Sequence, residues 1–378
     1  MIKSRTIFVV GAGASYEAGL PIGSKLAEII GARLKLVGND FQKKIRDPEI
    51  GEAFASEGNK ARFLEAAKSI SEAMPLAFSI DNFLHSHKSS SEIVEVGKLA
   101  IVKSILEAEK KSALYFDESN ANNRLDATKL TGTWYIKLWH LLSTDVSLEE
   151  VDTIFDNVSF VIFNYDRCVE KFLYEALRSY YRLDENGAAE VMQKLKVFHP
   201  YGRVGSLLST SEERVVPFGN TDRISALRSL ARQVRTFTET SDNRQDFSDM
   251  YETIRFAEKM VFLGFAYHTL NMRLLSPERR CFAEHIFGTC LNSSDSDAGV
   301  FKERIEEVLF GAVDPLNHAA QLDQMSFHEK LKIRLFDGTC SKLFEEYSQS
   351  IGYTESSSVE RWEVQRPKPT ANTVDRSS

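Results

Sequence analysis

Near the N-terminus the apolar positions fall into two patterns with different periods. Thr6-Ile-Phe-Val-Val10 is a continuous β-branched and aromatic run that ends at Gly11-Ala-Gly-Ala-Ser15, the pattern of a buried parallel strand entering a tight turn. Leu26, Ile29, Ile30, Leu34 and Val37 then recur at three-to-four spacing before Gly38, which predicts a helix with one buried face and Ser24 as its cap. From about residue 41 to 145 the pattern is helical. Segment 91–114 carries Val94, Ile101, Ile105 and Ala108 along one side, and the whole stretch predicts a helical insertion interrupted by a polar surface loop at 117–132.

Strand character returns at 159–163 and stops at Asn164-Tyr-Asp166. A helix follows, with Val169, Phe172, Leu173, Ala176, Leu177 and Tyr180 on one face. A short apolar segment, 195–198, precedes His199. Segments 260–263, 286–291 and 331–335 are further strands by the same criteria, the first meeting Gly264 before a helix around 270–275. Strands alternating with helices predict an α/β fold with a Rossmann-like parallel sheet and a helical insertion, in one domain over 1–353. The polar tail 354–378 has Trp362 as its lone aromatic residue and predicts a mobile or docking segment.

Composition narrows the function classes. Apolar residues make up 43% and charged residues 27% of the 378, which places the chain among globular proteins rather than disordered or fibrous ones. With 47 basic against 54 acidic side chains the net charge is −7, so the overall field repels polyanions and nucleic acid is expected only as an indirect partner. The four cysteines, Cys168, Cys281, Cys290 and Cys340, contain no pair at zinc-ribbon spacing, which predicts reduced thiols and no metal. No apolar stretch is long enough for a membrane span and no targeting signal is evident, so the expected compartment is the cytoplasm.

Gly11-Ala-Gly13 after a buried strand lets a backbone approach a pyrophosphate, and it reads equally as tight packing. The dinucleotide fingerprint is incomplete, because Tyr16 stands where a third glycine belongs, and a P-loop fails because Gly23 is followed by Ser24 and then Lys25. Asn164 and Asp166 lie where a strand meets a helix, the location of ligand sites in open α/β sheets, although Asp166 also reads as a helix cap. His199, before Pro200-Tyr-Gly202, is a candidate proton acceptor; the other seven histidines read as structural, His85 and His87 being close enough to notice. Arg228, Arg232 and Arg235 read as the basic flank of a helix.

In chain order, Gly11-Ala-Gly-Ala-Ser15, Gly19-Leu-Pro21, Phe163-Asn-Tyr-Asp166, His199 with Gly202, and Val261-Phe-Leu-Gly264 resemble the sirtuin superfamily over roughly residues 5–275. The resemblance implies NAD contacts from Gly11, Ala12, Gly13, Ser15 and Leu20, ribose contacts from Asn164 and Asp166, a catalytic base in His199, and adenosine contacts from Gly264 and Phe265. Gly13 is then expected to tolerate no side chain, because a Cβ would occupy the space of the approaching phosphate. The chain departs from the protein-deacylating members. Leu20-Pro21 is followed by Ile22-Gly-Ser-Lys25 rather than by the Phe and Arg of their loop, Phe163 replaces a Gln, and the double CxxC zinc module is missing.

The sequence is more similar to the bacterial sirtuin-like proteins of anti-phage defence, in which Ile80-Asp-Asn-Phe83 resembles a recurrent motif near the pocket and implies a role for Asp81. That resemblance implies an NAD glycohydrolase, a homo-oligomer, and a partner such as a HerA-like ring ATPase. An NAD-dependent protein deacylase and a non-catalytic NAD- or ADP-ribose-binding scaffold are the alternatives.

Overall fold

The computed structural model describes residues 2–39, 42–54, 60–120, 123–208, 215–221, 224–311 and 329–352, so the tail 354–378, with Trp362, lies outside them. The strands are β1 (Thr6–Val10), β2 (Leu36–Val37), β3 (Lys44–Ile45), β4 (Val158–Ile162), β5 (Lys196–Phe198), β6 (Lys259–Leu263), β7 (His285–Thr289) and β8 (Lys332–Phe336). Six of them form one all-parallel sheet in the order β5-β4-β1-β6-β7-β8, and β2 and β3 make a small antiparallel pair of their own. Every residue of β1, β4 and β6 is buried, which is why these strands are continuous apolar runs rather than alternating ones.

With the small pair set aside, the chain lays strands outward from β1 to β4 and β5, then returns to the other side of β1 for β6, β7 and β8. This is the Rossmann-like doubly wound order, and its direction reverses between β1 and β6. Alternate residues of the strands feed two cores. Ile7, Val9, Val161, Met260 and Phe262 pack with helices Gly23–Leu34, Lys60–Ala73, Ser91–Lys111, Thr269–Leu275 and Asp295–Phe310. Phe8, Val10, Phe160, Ile162 and Leu263 pack on the opposite face with helices Trp134–Ser143, Cys168–Tyr180 and Cys340–Gly352. The inserted helical segment therefore supplies both layers.

Several local expectations are corrected. The first long helix starts at Gly23 with Ile22 at its N-cap and no side-chain cap, so Ser24 is inside it, and it ends at Leu34 with Val37 in β2. Strands 159–163, 286–291 and 331–335 each shift to the bounds given above, leaving Phe163 beyond its strand. The polar loop 117–132 contains a 3-10 turn, Ala127–Leu130, whose Leu130 is buried. The helix carrying Arg228 ends at Ala231, so the arginines do not share a helical flank. Arg228 pairs with Glu95 at 2.7 Å, and Arg235 stands 3.9 Å from Asp246 and over the Phe247 ring. All four cysteines are buried free thiols, and among the described residues no helix is long and apolar enough to cross a membrane.

Candidate functional site

Four loops meet at the carboxyl ends of the central strands. Gly11 follows β1 directly, Asn164 stands two residues past β4, His199 follows β5, and Gly264 follows β6. They surround the point where strand order reverses, the place where open α/β sheets form a crevice.

The two glycine loops are in contact with each other. Gly11 N–H donates to the Leu263 carbonyl at 2.9 Å and Gly13 N–H to the Gly264 carbonyl at 3.0 Å. A Cβ on Gly13 would lie 2.8 Å from Gly264 Cα, and one on Gly264, whose φ is +55°, would lie 2.1 Å from Ala14 N. The expectation that Gly13 is kept bare for a phosphate is corrected here, because the space is taken by the Gly264 backbone. Ala14 N–H is also spent, on the Gly11 carbonyl at 3.0 Å.

Above this floor a polar knot joins residues far apart in the chain. Asn164 Nδ2 donates to the Gly11 carbonyl at 3.0 Å and to Ser15 Oγ at 2.9 Å, and Ser15 Oγ donates to Asp166 Oδ1 at 3.0 Å. Asp166 Oδ1 also accepts Cys168 N–H at 3.1 Å, so Asp166 does serve the start of the next helix while standing in the site. All three side chains are buried. The Cys168 thiol also hydrogen-bonds the Asp166 carboxylate. Burial pushes the Asp166 carboxyl up to about 6, with help from the Glu109 charge and against the hydrogen bonds from Cys168 and Ser15.

His199 joins the knot through the backbone. Its Nδ1 is 3.3 Å from the Asn164 carbonyl and its Nε2 is 2.8 Å from Glu170 Oε1, which also accepts from Arg203 Nη1 at 3.1 Å. Burial pushes the Glu170 carboxyl up, but the adjoining His199 ring and Arg203 guanidinium reverse this and bring it to about 2. Sequence reasoning missed Glu170 and Arg203. Glu170 reads as an ordinary first-turn acid of its helix, and no spacing rule ties it to His199.

The remaining candidates spread outward. Asp81 accepts the Tyr165 hydroxyl, and burial pushes the Asp81 carboxyl up against that bond. Phe265 packs edge-on to Phe163, which meets Tyr201 at 5.7 Å between ring centres. Ala12 is half-buried between the glycines, whereas Leu20 is 2% exposed in the core behind the loop. His85 and His87 turn separately to Thr238 and to the Phe83 carbonyl, and among the described residues no three His, Cys, Asp or Glu side chains group to hold a metal. No protein-family model matches the chain, and no curated protein does.

Proposed function

We propose that the protein is a sirtuin-like NAD glycohydrolase that depletes NAD as an effector of bacterial anti-phage defence. One observation carries this reading. Gly11 to Ser15, Asn164, Asp166, His199 and Gly264, from four separate stretches of sequence, converge on the carboxyl edge of the sheet at its reversal point. In the reaction the bond between the nicotinamide nitrogen and ribose C1 breaks, the electron pair leaves with nicotinamide, and a water oxygen bonds to C1 as its proton departs. NAD enters as substrate. Asn164 Oδ1, with both amide hydrogens already committed to the protein, is the fixed acceptor for a ribose hydroxyl or the attacking water.

Nicotinamide release by the purified full chain, with and without an acylated lysine peptide, tests the reading. Release without peptide is expected. A strict requirement for peptide would instead make the protein a deacylase, and ADP-ribose binding without turnover would make it a scaffold. Asn164→Ala is expected to lower release at least about a hundredfold. The proposed homo-oligomer and its ring-ATPase partner are tested by light scattering and by co-purification. A concentration-independent species near 42.8 kDa counts against self-association.

A further inference from the structure

We infer that Glu170 is a positioning residue of this site, holding His199 by Nε2 so that Nδ1, beside Asn164, is the ring nitrogen that exchanges the proton; the inference rests on the NAD-cleaving reading. The sheet builds this juxtaposition. Parallel strands β4 and β5 pair Val161 with Phe198, so the chain leaving β4 toward Asn164 and the chain leaving β5 at His199 emerge side by side. The helix Cys168–Tyr180 then presents Glu170, in its first turn, to the ring. The loop after His199 brings a cation to the same carboxylate. Gly202, at φ +71°, donates its N–H to the His199 carbonyl at 2.9 Å, and the chain turns back to place Arg203 Nη1 3.1 Å from Glu170 Oε1. Val204 N–H closes the loop on the Tyr165 carbonyl at 3.1 Å.

An ionised carboxylate only accepts. Burial opposes the Glu170 charge, but the His199 ring and the Arg203 guanidinium bring the carboxyl to about 2. Nε2, 2.8 Å from Glu170 Oε1, therefore carries a hydrogen, and the neutral ring is bare at Nδ1. Nδ1 lies 3.3 Å from the Asn164 carbonyl, which receives the proton once it arrives. The His199 side chain is only 6% exposed, so its two anchored edges, not free rotation, decide which nitrogen faces the Asn164 loop. In the step, a water oxygen bonds to C1, the C1–N electron pair leaves with nicotinamide, and the water proton passes to Nδ1 and then to bulk water. Glu170 takes no proton. Its charge faces the imidazolium that forms, and Arg203 keeps it an anion.

Nitrogen NMR of the full chain labelled with ¹⁵N-histidine is the test, with His199 assigned from the His199→Gln difference. The neutral native ring should show a protonated Nε2 and a bare Nδ1. In Glu170→Ala the Asn164 carbonyl becomes the acceptor that decides, and the tautomer should reverse to Nδ1–H. Glu170→Gln keeps an oxygen for Nε2–H and should keep the native tautomer, so the native and Gln spectra decide the matter if Glu170→Ala does not fold. A native ring protonated at Nδ1, or Nε2–H retained in folded Glu170→Ala, would overturn the inference. These spectra need no turnover. The native signature without nicotinamide release supports the positioning and removes the NAD-cleaving reading, whereas active enzyme with an Nδ1–H ring removes the positioning alone. Kinetics supply the second arm. Glu170→Ala should lower kcat about a hundredfold with KM close to native, and Glu170→Gln should recover part of the loss. Glu170→Ala combined with His199→Gln should be no slower than His199→Gln alone. Losses that multiply in the double variant would overturn the inference.

Discussion

Asp166, before the helix Cys168–Tyr180, and Glu170, in its first turn, pull stability in opposite directions with pH. The Asp166 carboxyl is raised from 3.8 to about 6. Its preference for the neutral form therefore favours folding fully below the unfolded value, and that contribution is lost as pH rises through 6. Asparagine stays neutral throughout. Asp166→Asn should exceed the native protein in stability by about 3 kcal/mol at pH 8 and match it near pH 4, measured by urea unfolding. Glu170 is lowered to about 2, so its contribution is present above the unfolded carboxylate range and lost as pH falls through 2. Glu170→Gln should destabilise by about 3 kcal/mol at neutral pH and converge with the native protein in strong acid. The same curve shape for both variants would contradict these environments. Gly13 and Gly264 fit because each leaves room for the other's backbone, so Gly264→Ala should lower the melting temperature sharply or prevent folding. Gly13→Val should act in the same way, and a folded, fully stable Gly13→Val protein would remove the packing account. The need for bare glycine was legible in the sequence. Its reason was not, since the partner, Gly264, is remote in sequence.

Among the elements, the buried central strands were readable because two-sided burial writes itself as an uninterrupted apolar run, and β1, β4 and β6 stand within a residue of their expected bounds. Helix ends were less readable. A cap is a single contact, and at the first long helix the residue before the helical run is Ile22, with no polar group to announce it. Glu17 shows how far such contacts reach. Its carboxylate accepts Trp134 N–H at 2.8 Å and Ser341 N–H at 2.9 Å, which ties the glycine-loop region to the first turns of helices Trp134–Ser143 and Cys340–Gly352. Burial raises the Glu17 carboxyl while those N–H groups oppose the rise. Both contacts use N–H groups that a helix start leaves unpaired. Glutamine offers one acceptor oxygen in place of two. Glu17→Gln should therefore cost about 1–2 kcal/mol and speed amide hydrogen exchange at the start of at least one of the two helices. Unchanged exchange at both starts would show that solvent serves these N–H groups as well.

At the scale of the whole molecule, alternation of strands and helices was enough to expect a parallel sheet, but the strand order was not on the page. It depends on β1 pairing with both β4 and β6, contacts between segments with no local relation, and it is this order that brings four short motifs to one edge of the sheet. The inserted helical segment shows the same limit. Its periodicity was legible, but its packing was not. Read along the chain, residues 41–145 separate the first glycine loop from β4 and look detachable. In the fold, Phe63, Ala67, Leu99 and Ile105 share a core with Ile7 and Val9, while Trp134, Leu138 and Leu142 share the opposite core with Phe8 and Val10. Trp134 Nε1 further donates to the Ala14 carbonyl at 2.9 Å, reaching the loop that carries Ser15. Removing the segment would take packing from both faces of β1, at about 25 cal/mol per Å² of apolar surface exposed. A chain in which 41–145 is replaced by a short Gly-Ser linker should fail to fold, and the intact described core should unfold in one cooperative calorimetric transition. Two resolved transitions, or a linker-replaced protein that folds and binds NAD, would show the segment to be a separate module resting on an independent sheet.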